Sequence, residues 1–242
     1  MDAIRKDEIP DSTHSLYVDQ WDWERVISKE ERSLMFLKKI VRHIYSCIYD
    51  TKTYLKKKYP SLKHSLEKHV FFIHSEDLQK LYPSLSPKER EDKICKEHGT
   101  VFIIGIGYTL GDGKAHDLRA TDYDDWSTEV KVKHKVYHGL NGDLLVYDQV
   151  SKKALELSSM GIRVSKDSLL FQLKEKKQLH KLKFDYHKRI IDSSLPLSIG
   201  GGIGQSRLCM FLLEKAHIAE VQSSVWPEEV YKKAKRRGIP LL

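Results

Sequence analysis

"SIGGGIGQSRLCMFLL", residues 198–213, places four glycines and one arginine in ten positions and then turns apolar. Each glycine forfeits stability unless the main chain must bend unusually or let something approach it closely. The stretch reads as a strand ending in glycines, a turn, and a helix starting near Gly204 whose first turn projects Arg207. Two familiar phosphate motifs fail here. No Gly-Lys-Ser/Thr closes the stretch as a P-loop requires, and Arg207 stands where the dinucleotide fingerprint needs its third glycine. An anionic ligand still suits what remains, because glycines let a flat or charged group lie on the backbone, a helix start favours an anion, and a guanidinium grips phosphate oxygens in pairs. A tight strand-to-helix turn with an exposed arginine is the alternative that this stretch alone leaves open.

Upstream, Ser28 and Glu31 form a capping-box pattern, and Leu37, Ile40, Val41, Ile44 and Ile48 follow at helical spacing until Pro60, which predicts one long amphipathic helix. "VFFIH" (70–74) reads as a short buried strand, with Ser75 capping a brief helix behind it. Ser86, Pro87 and Glu89 combine N-cap, first-turn proline and capping box for a further helix that Gly99 closes, and the β-rich run Thr100 to Gly107 comes next. "LNGDLLVYD" and "LELSSMGIRV", joined by "QVSKKA", predict an antiparallel hairpin, and two helices, 166–176 and 179–191, precede the glycine stretch. Helices and hairpin-linked strands alternate without a βαβ rhythm. The fold class is therefore α+β: an antiparallel sheet flanked by helices, in one domain over 1–242.

Hydrophobic content of 40% and charged content of 31% over 242 residues fit a soluble globular chain. The longest apolar stretch, 101–106, is too short to span a bilayer, and the first residues lack the apolar core of a secretory signal, so a cytoplasmic setting is expected. Cys47, Cys95 and Cys209 lie far apart in helix-like patterns, which argues for reduced, buried thiols and against a disulfide framework or zinc site. The net charge of +8 invites a nucleic-acid reading, but the lysine runs at 56–58 and 172–177 fall at helix ends or faces where lysines are normally solvated. Only "KKAKRRG" near the C-terminus is dense enough to keep an RNA contact in view.

Three further constellations carry chemistry. In "HSLYVDQWDWE", strand alternation puts Gln20, Asp22 and Glu24 on one side and Trp21 and Trp23 on the other, as in a pocket floor backed by aromatics or in an exposed sheet face. In the hairpin, Asp143 opens one strand while Glu156, Ser158, Ser159 and Arg163 lie along its partner. Two carboxylates and a cation could converge there; such a pair suits Mg²⁺, which takes a couple of carboxylates plus phosphate oxygens, and equally a cross-strand ion pair. "HDLRATDYDDW" crowds Asp117, Asp122, Asp124 and Asp125 into a predicted loop, where one carboxylate could hold a substrate ammonium and most would face water. His116, His134 and His138 show no metal-ligand spacing.

Taken together, "AIRKDE", "HSLYVDQWDWERV", "IIGIG", "DYDDWST", "GLNGDLLV", "ELSSMGIRV", "GGGIGQSRL" and "VQSSVWPEE", in that order from Met1 almost to Leu242, closely resemble the ammonia-dependent asparagine synthetases, or aspartate–ammonia ligases. The resemblance implies a class II aminoacyl-tRNA synthetase-like catalytic core and a two-step ligase reaction. The β-carboxylate of aspartate attacks the α-phosphorus of ATP, giving β-aspartyl-AMP and pyrophosphate; ammonia then displaces AMP and leaves asparagine. Arg5 matches the arginine of the second class II motif and Arg207 that of the third, which lies over ATP. Asp143 and Glu156 fall where acidic Mg²⁺ ligands are expected, while Gln20, Asp22 and Asp124 match the amino-acid pocket, with Ser158, Ser159 and Arg163 alongside. Asp7, Glu8, His14, Ser15, Gly202 and Gly204 fall on the ATP side. Ammonia at neutral pH is mostly ammonium, so a carboxylate must take a proton; Asp124 or a neighbour is the candidate.

The resemblance also implies a segment ahead of the point where this chain begins, carrying the first class II motif, the homodimer interface and part of the aspartate pocket, so that the chain alone is expected to be poorly active and prone to associate. Two rivals remain at the level of sequence: a fragment of an aspartyl- or asparaginyl-tRNA synthetase, against which no anticodon-binding barrel is visible, and a noncatalytic homologue acting as an interaction protein.

Overall fold

In the computed structural model, which describes residues 1–242, the strands are β1 (Asp2–Ile4), β2 (Tyr17–Val26), β3 (Phe71–His74), β4 (Thr100–Ile104), β5 (Glu129–Val132), β6 (Lys135–His138), β7 (Asn141–Asp148), β8 (Lys153–Ile162) and β9 (Ser198–Gly204). Seven form one sheet in the order β1-β2-β9-β8-β7-β4-β3, and β5 and β6 make a separate hairpin. Every neighbouring pair is antiparallel except β3 with β4. That parallel pair departs from the antiparallel expectation because the chain between its strands crosses over as helices, α2 (Ser75–Leu81) and α3 (Pro87–His98), and not as a hairpin.

The long helix forms as its periodicity requires, but it starts later. Ser28 and Glu31 do exchange bonds, at 3.0 and 3.3 Å, yet they close a turn, and Ser33 caps α1 (Leu34–Lys58). Leu37, Ile40, Val41 and Ile48 form its buried stripe against Phe102, Leu144, Leu157, Met160 and Ile199 on one sheet face. Each such side chain contributes about 1.5–3 kcal/mol on burial. Position 47 lies off that stripe, so Cys47 is exposed, as is Cys209; only Cys95 is the buried thiol expected, and all three are free.

The opposite face is shared. On its β4 side, Leu78 of α2 and Ile94 and Cys95 of α3 pack on Val101, Ile103 and Leu145. Ser86 and Glu89 form the predicted capping box, and Gly99 closes α3 at φ +71°. The cap of α2 is His74, whose Nδ1 accepts from the Glu76 amide at 3.2 Å, and not Ser75, whose hydroxyl donates to the Gly105 carbonyl at 2.7 Å. β3 is an edge strand with Phe71 exposed, so it is less buried than its apolar run suggests.

After β8 come α4 (Lys166–Glu175), a 3₁₀ turn over Leu179–Lys183 and α5 (Asp185–Ile191), so the second predicted helix is broken. The glycines lie wholly inside β9, which passes without an intervening turn into α6 (Gln205–Leu212); α7 (Glu228–Arg236) ends the fold. No helix is long and apolar enough to cross a membrane.

Candidate active site

Register makes the site. Asp22 of β2 pairs with Gly202 of β9, Gly202 with Ser159 of β8, and Ser159 with Asp143 of β7, so these four residues form a row across one face of the sheet. Glu156 joins that face through a bulge: β7 residues Leu144 and Leu145 oppose Ser158 and Glu156, leaving Leu157 as the extra residue. The parity change is visible in the core, where Leu155 and Leu157 on one side of the bulge and Met160 and Ile162 on the other all pack beneath the sheet. Glu156 and Ser159 therefore share the upper face although three positions separate them.

Above this row lies a cavity of about 760 Å³. Arg5 and Glu8 line it from the turn between β1 and β2, His14 and Ser15 from the approach to β2, and Gln20 and Asp22 from β2 itself. Glu156, Ser158 and Ser159 line it from β8, Gly202 and Gly204 from β9, and Arg207 from the first turn of α6. Arg5 and Arg207 thus open onto one cavity. The Arg5 guanidinium is half exposed and 3.4 Å from Glu8; that of Arg207 donates to the Glu156 carbonyl oxygen at 3.1 Å. The Ser158 hydroxyl donates to the Gly202 carbonyl at 2.8 Å.

Close approach explains the glycines, but not in one way. A Cβ on Gly200 would collide with the Glu24 carboxylate and lie 2.6 Å from the Trp23 carbonyl oxygen, and one on Gly201 would lie 2.6 Å from Met160 Cβ. Those two admit the protein's own groups. Gly202 and Gly204 line the cavity floor: a Cβ on Gly202 would press on Asp22 Oδ1 at 3.0 Å, and one on Gly204 would meet only Arg207 Cβ, at 3.5 Å. The start of α6 already has an anion, because Asp19 accepts from the Ser206 amide at 3.3 Å and from its hydroxyl at 2.7 Å.

Of the four aspartates in the acidic loop between β4 and β5, Asp117 faces solvent as expected, but the other three do not. Asp125 is fully buried, bonded to Arg32 and to the amides of Ser127 and Thr128 at 3.0 and 2.8 Å. Asp122 holds Lys181 at 3.0 Å and His187 at 2.9 Å, and Gln172 of α4 donates to the carbonyls of Thr121 and Asp124 at 3.0 and 3.1 Å. Asp124 lines the cavity, with Oδ1 bonded to the Arg163 guanidinium and Oδ2 accepting no hydrogen bond. Burial pushes its carboxyl above the usual carboxylate range against the pull of Arg163.

Some of the expected residues stand apart from the cavity and others are already engaged within the protein. Asp7 lies outside the cavity, on a solvent-exposed turn beside Lys6 at 3.6 Å. Arg163 does not line it either: its guanidinium reaches back to Glu24 at 3.0 Å, lies 3.7 Å from the Tyr123 ring centre, and clamps Asp124. Glu24 is consequently spent on Arg163 and does not extend the floor with Gln20 and Asp22, and Trp21, half exposed, backs nothing. Ser15 is buried with its hydroxyl bonded to Gln222 and the Tyr17 carbonyl, and His14 Nδ1 is tied to Asp11 at 2.9 Å. Asp143 sits behind the cavity wall, covered by Arg119.

Arg119 is the cation at the carboxylate pair, where the hairpin pattern had suggested Arg163. Sequence reasoning missed it along with Asp19, Arg32 and Gln222; the one available signal was that "LR" in "HDLRATDYDDW" sits among acidic residues. Burial and the Asp143 carboxylate push Glu156 up, and burial pushes Asp143 up against the pull of Arg119. The Glu156 carboxylate, half-buried at the cavity, makes no ion pair and accepts no hydrogen bond. A half-buried carboxylate without a bonded partner, beside a second one held by a single guanidinium, leaves room for a further cation. No three His, Cys, Asp or Glu side chains converge as a cage.

A family model described as aspartate-ammonia ligase matches residues 1–238. The aspartate–ammonia ligase of Parabacteroides distasonis is 55% identical over 242 residues, covering all of this chain and 69% of that protein; that of Bacteroides thetaiotaomicron is 54% identical with the same coverage. That of Clostridium tetani is 50% identical over all of this chain and 67% of its own length. Among solved structures, the asparaginyl-tRNA synthetase of Pyrococcus horikoshii complexed with asparaginyl-adenylate superposes with a TM-score of 0.65 at 15% identity, covering 94% of this chain and 52% of that one. The Entamoeba histolytica asparaginyl-tRNA synthetase gives 0.63 at 19% identity, covering 92% and 50%. These likenesses establish a class II aminoacyl-tRNA synthetase-like fold, and the extent and identity of the sequence matches show that the chain belongs to the aspartate–ammonia ligase family.

Proposed function

We propose that this cavity binds ATP and L-aspartate and is where they become β-aspartyl-AMP, which ammonia converts to asparagine and AMP. The observation that carries the reading is that Arg5 and Arg207, at opposite ends of the sequence, line one cavity over the row of Asp22, Gly202, Ser159 and Asp143. The first step must bring a carboxylate against a triphosphate, and their mutual repulsion is the barrier that fixed cations lower.

In this reading the guanidiniums of Arg5 and Arg207 hold phosphate oxygens, and Gly202 and Gly204 let the nucleotide lie on the strand. Gln20, Asp22 and the serines of β8 orient the amino acid; Asp22 presents the partly exposed carboxylate that an ammonium group requires. A β-carboxylate oxygen bonds to the α-phosphorus and pyrophosphate leaves with the electrons of the cleaved P–O bond. Asp143 and Glu156 would hold Mg²⁺, which supplies neutralisation of the polyphosphate charge. In the second step Asp124 takes a proton from ammonium and the freed nitrogen attacks the β-carbonyl carbon; the carbon–oxygen bond to AMP breaks with its electrons on the phosphate, and the nitrogen's second proton passes to that phosphate. Arg163 acts through Asp124, by fixing its carboxylate. A cytoplasmic setting and a homodimeric state belong to this reading on the resemblance alone.

The test is aspartate-dependent exchange of pyrophosphate into ATP. Arg207→Ala should lower it about 10²-fold with the fold intact, the usual cost of removing a group that stabilises developing charge; exchange at the unaltered rate would refute the placement of ATP.

A further inference from the structure

The Arg119 side chain is held oddly for a permanent ion pair. One terminal nitrogen, Nη2, donates both to Asp143 and to Ser159 Oγ, the latter at 3.2 Å. The other reaches only the carbonyl oxygen of Leu118, at 3.1 Å, and Nε–H is buried with no acceptor. A guanidinium has five donors in a fixed fork and is most stable when they are paired, so burying one unpaired gives up free energy. It is also outnumbered: Asp143, Glu156 and Asp124 all act on it.

Arg119 belongs to the irregular segment between β4 and β5, and its neighbours Leu118 and Ala120 line the cavity as it does. A long side chain on such a segment can leave Asp143 without dismantling the sheet. Whatever cation Asp143 and Glu156 receive must contend with a guanidinium already bonded to Asp143 Oδ1, because two positive charges a few ångströms apart repel.

We propose that Arg119 is a resident counter-cation: in the nucleotide-free protein it occupies the place of the divalent cation at Asp143, and the two exclude each other. Displaced, the guanidinium remains tethered at the cavity wall, where the anionic substrates would meet it, so arrival of the metal and grip on the substrate become one event. The inference rests on the reading of Asp143 and Glu156 as the cation site.

Titration of the nucleotide-free full chain with Mn²⁺, followed by the electron paramagnetic resonance signal of the free ion, tests it. Arg119→Gln should bind Mn²⁺ at least about tenfold more tightly than the unaltered protein, since a positive charge within a few ångströms has been removed. Glu156→Gln should weaken binding in both backgrounds. If Glu156→Gln weakens binding but Arg119→Gln does not tighten it, the cation site stands and the competition is refuted. If Glu156→Gln changes nothing, the cation site is wrong and the inference falls with it. Should Arg119→Gln fail to fold, the unaltered protein still decides the matter. Its Arg119 Nε–H resonance, assigned with Arg119→Lys, should shift as Mg²⁺ is added, and an unmoved resonance would overturn the proposal.

Discussion

Asp124 has its two oxygens in different circumstances: Oδ1 is fixed by Arg163, Oδ2 accepts nothing, and burial raises the carboxyl above its ordinary range. A base must be ionised to work, so raising its pKa moves the acid limb of the ammonia-dependent step upward from about pH 3.8, the ordinary aspartate value. Asparagine formation should therefore fall with decreasing pH along a limb that pyrophosphate exchange does not share. Asp124→Asn should keep the exchange and lose about 10²- to 10⁴-fold of asparagine formation, the range for removing a general base; parallel losses in both assays would move Asp124 out of the second step. The acidic loop shows why side-chain roles were only partly legible. Four aspartates in "HDLRATDYDDW" look alike, and what separates them is partners from distant parts of the chain: Arg32 for Asp125, Arg163 for Asp124, Lys181 and His187 for Asp122.

Elements whose signals are local are the ones the sequence reveals: the stripe of α1, the capping box of α3 and the β7–β8 hairpin follow from spacing alone. The late start of α1, the break between residues 179 and 191 and the parallel β3–β4 pair depend on what packs where, and spacing does not carry that. The bulge lies between these cases, since apolar residues at 155 and 157 and again at 160 and 162 betray the parity change. Two joints between elements give predictions. Gly200→Ala would drive a Cβ between Glu24 and Arg163 and should cost about 1–3 kcal/mol, read as a lowered denaturant midpoint; an unchanged midpoint would mean the pair moves aside freely. Glu214, just past α6, accepts from Lys52 of α1 at 2.8 Å and from the amides of Lys63 and His64, both at 2.9 Å. Burial alone would raise its pKa, but these donors bring it down to about 2. Because the folded value lies below the ordinary 4.5, the stabilisation is complete above pH 4.5 and is lost as pH falls towards about 2. Glu214→Gln would leave Lys52 charged and buried, at a cost of about 3 kcal/mol at neutral pH, and should flatten stability across that acid window; retention of the full acid dependence would place its origin elsewhere.

Across the whole molecule, one sheet face is given to α1 and the other is divided between α2 with α3 and the cavity. This division leaves polar residues on strands that are otherwise core, and the β2–β9–β8–β7 register turns residues scattered along the sequence into one row. The net charge of +8 says little about such a site, because what matters is that Arg5, Arg119 and Arg207 converge on it. The proposed function requires that the aspartate β-carboxylate bond directly to the α-phosphorus of ATP in that cavity. Turnover of aspartate carrying ¹⁸O in both β-carboxylate oxygens tests it most directly: one labelled oxygen should appear in each AMP released and one should stay in the asparagine amide, whereas AMP without label, or label in ADP or inorganic phosphate, would contradict the account.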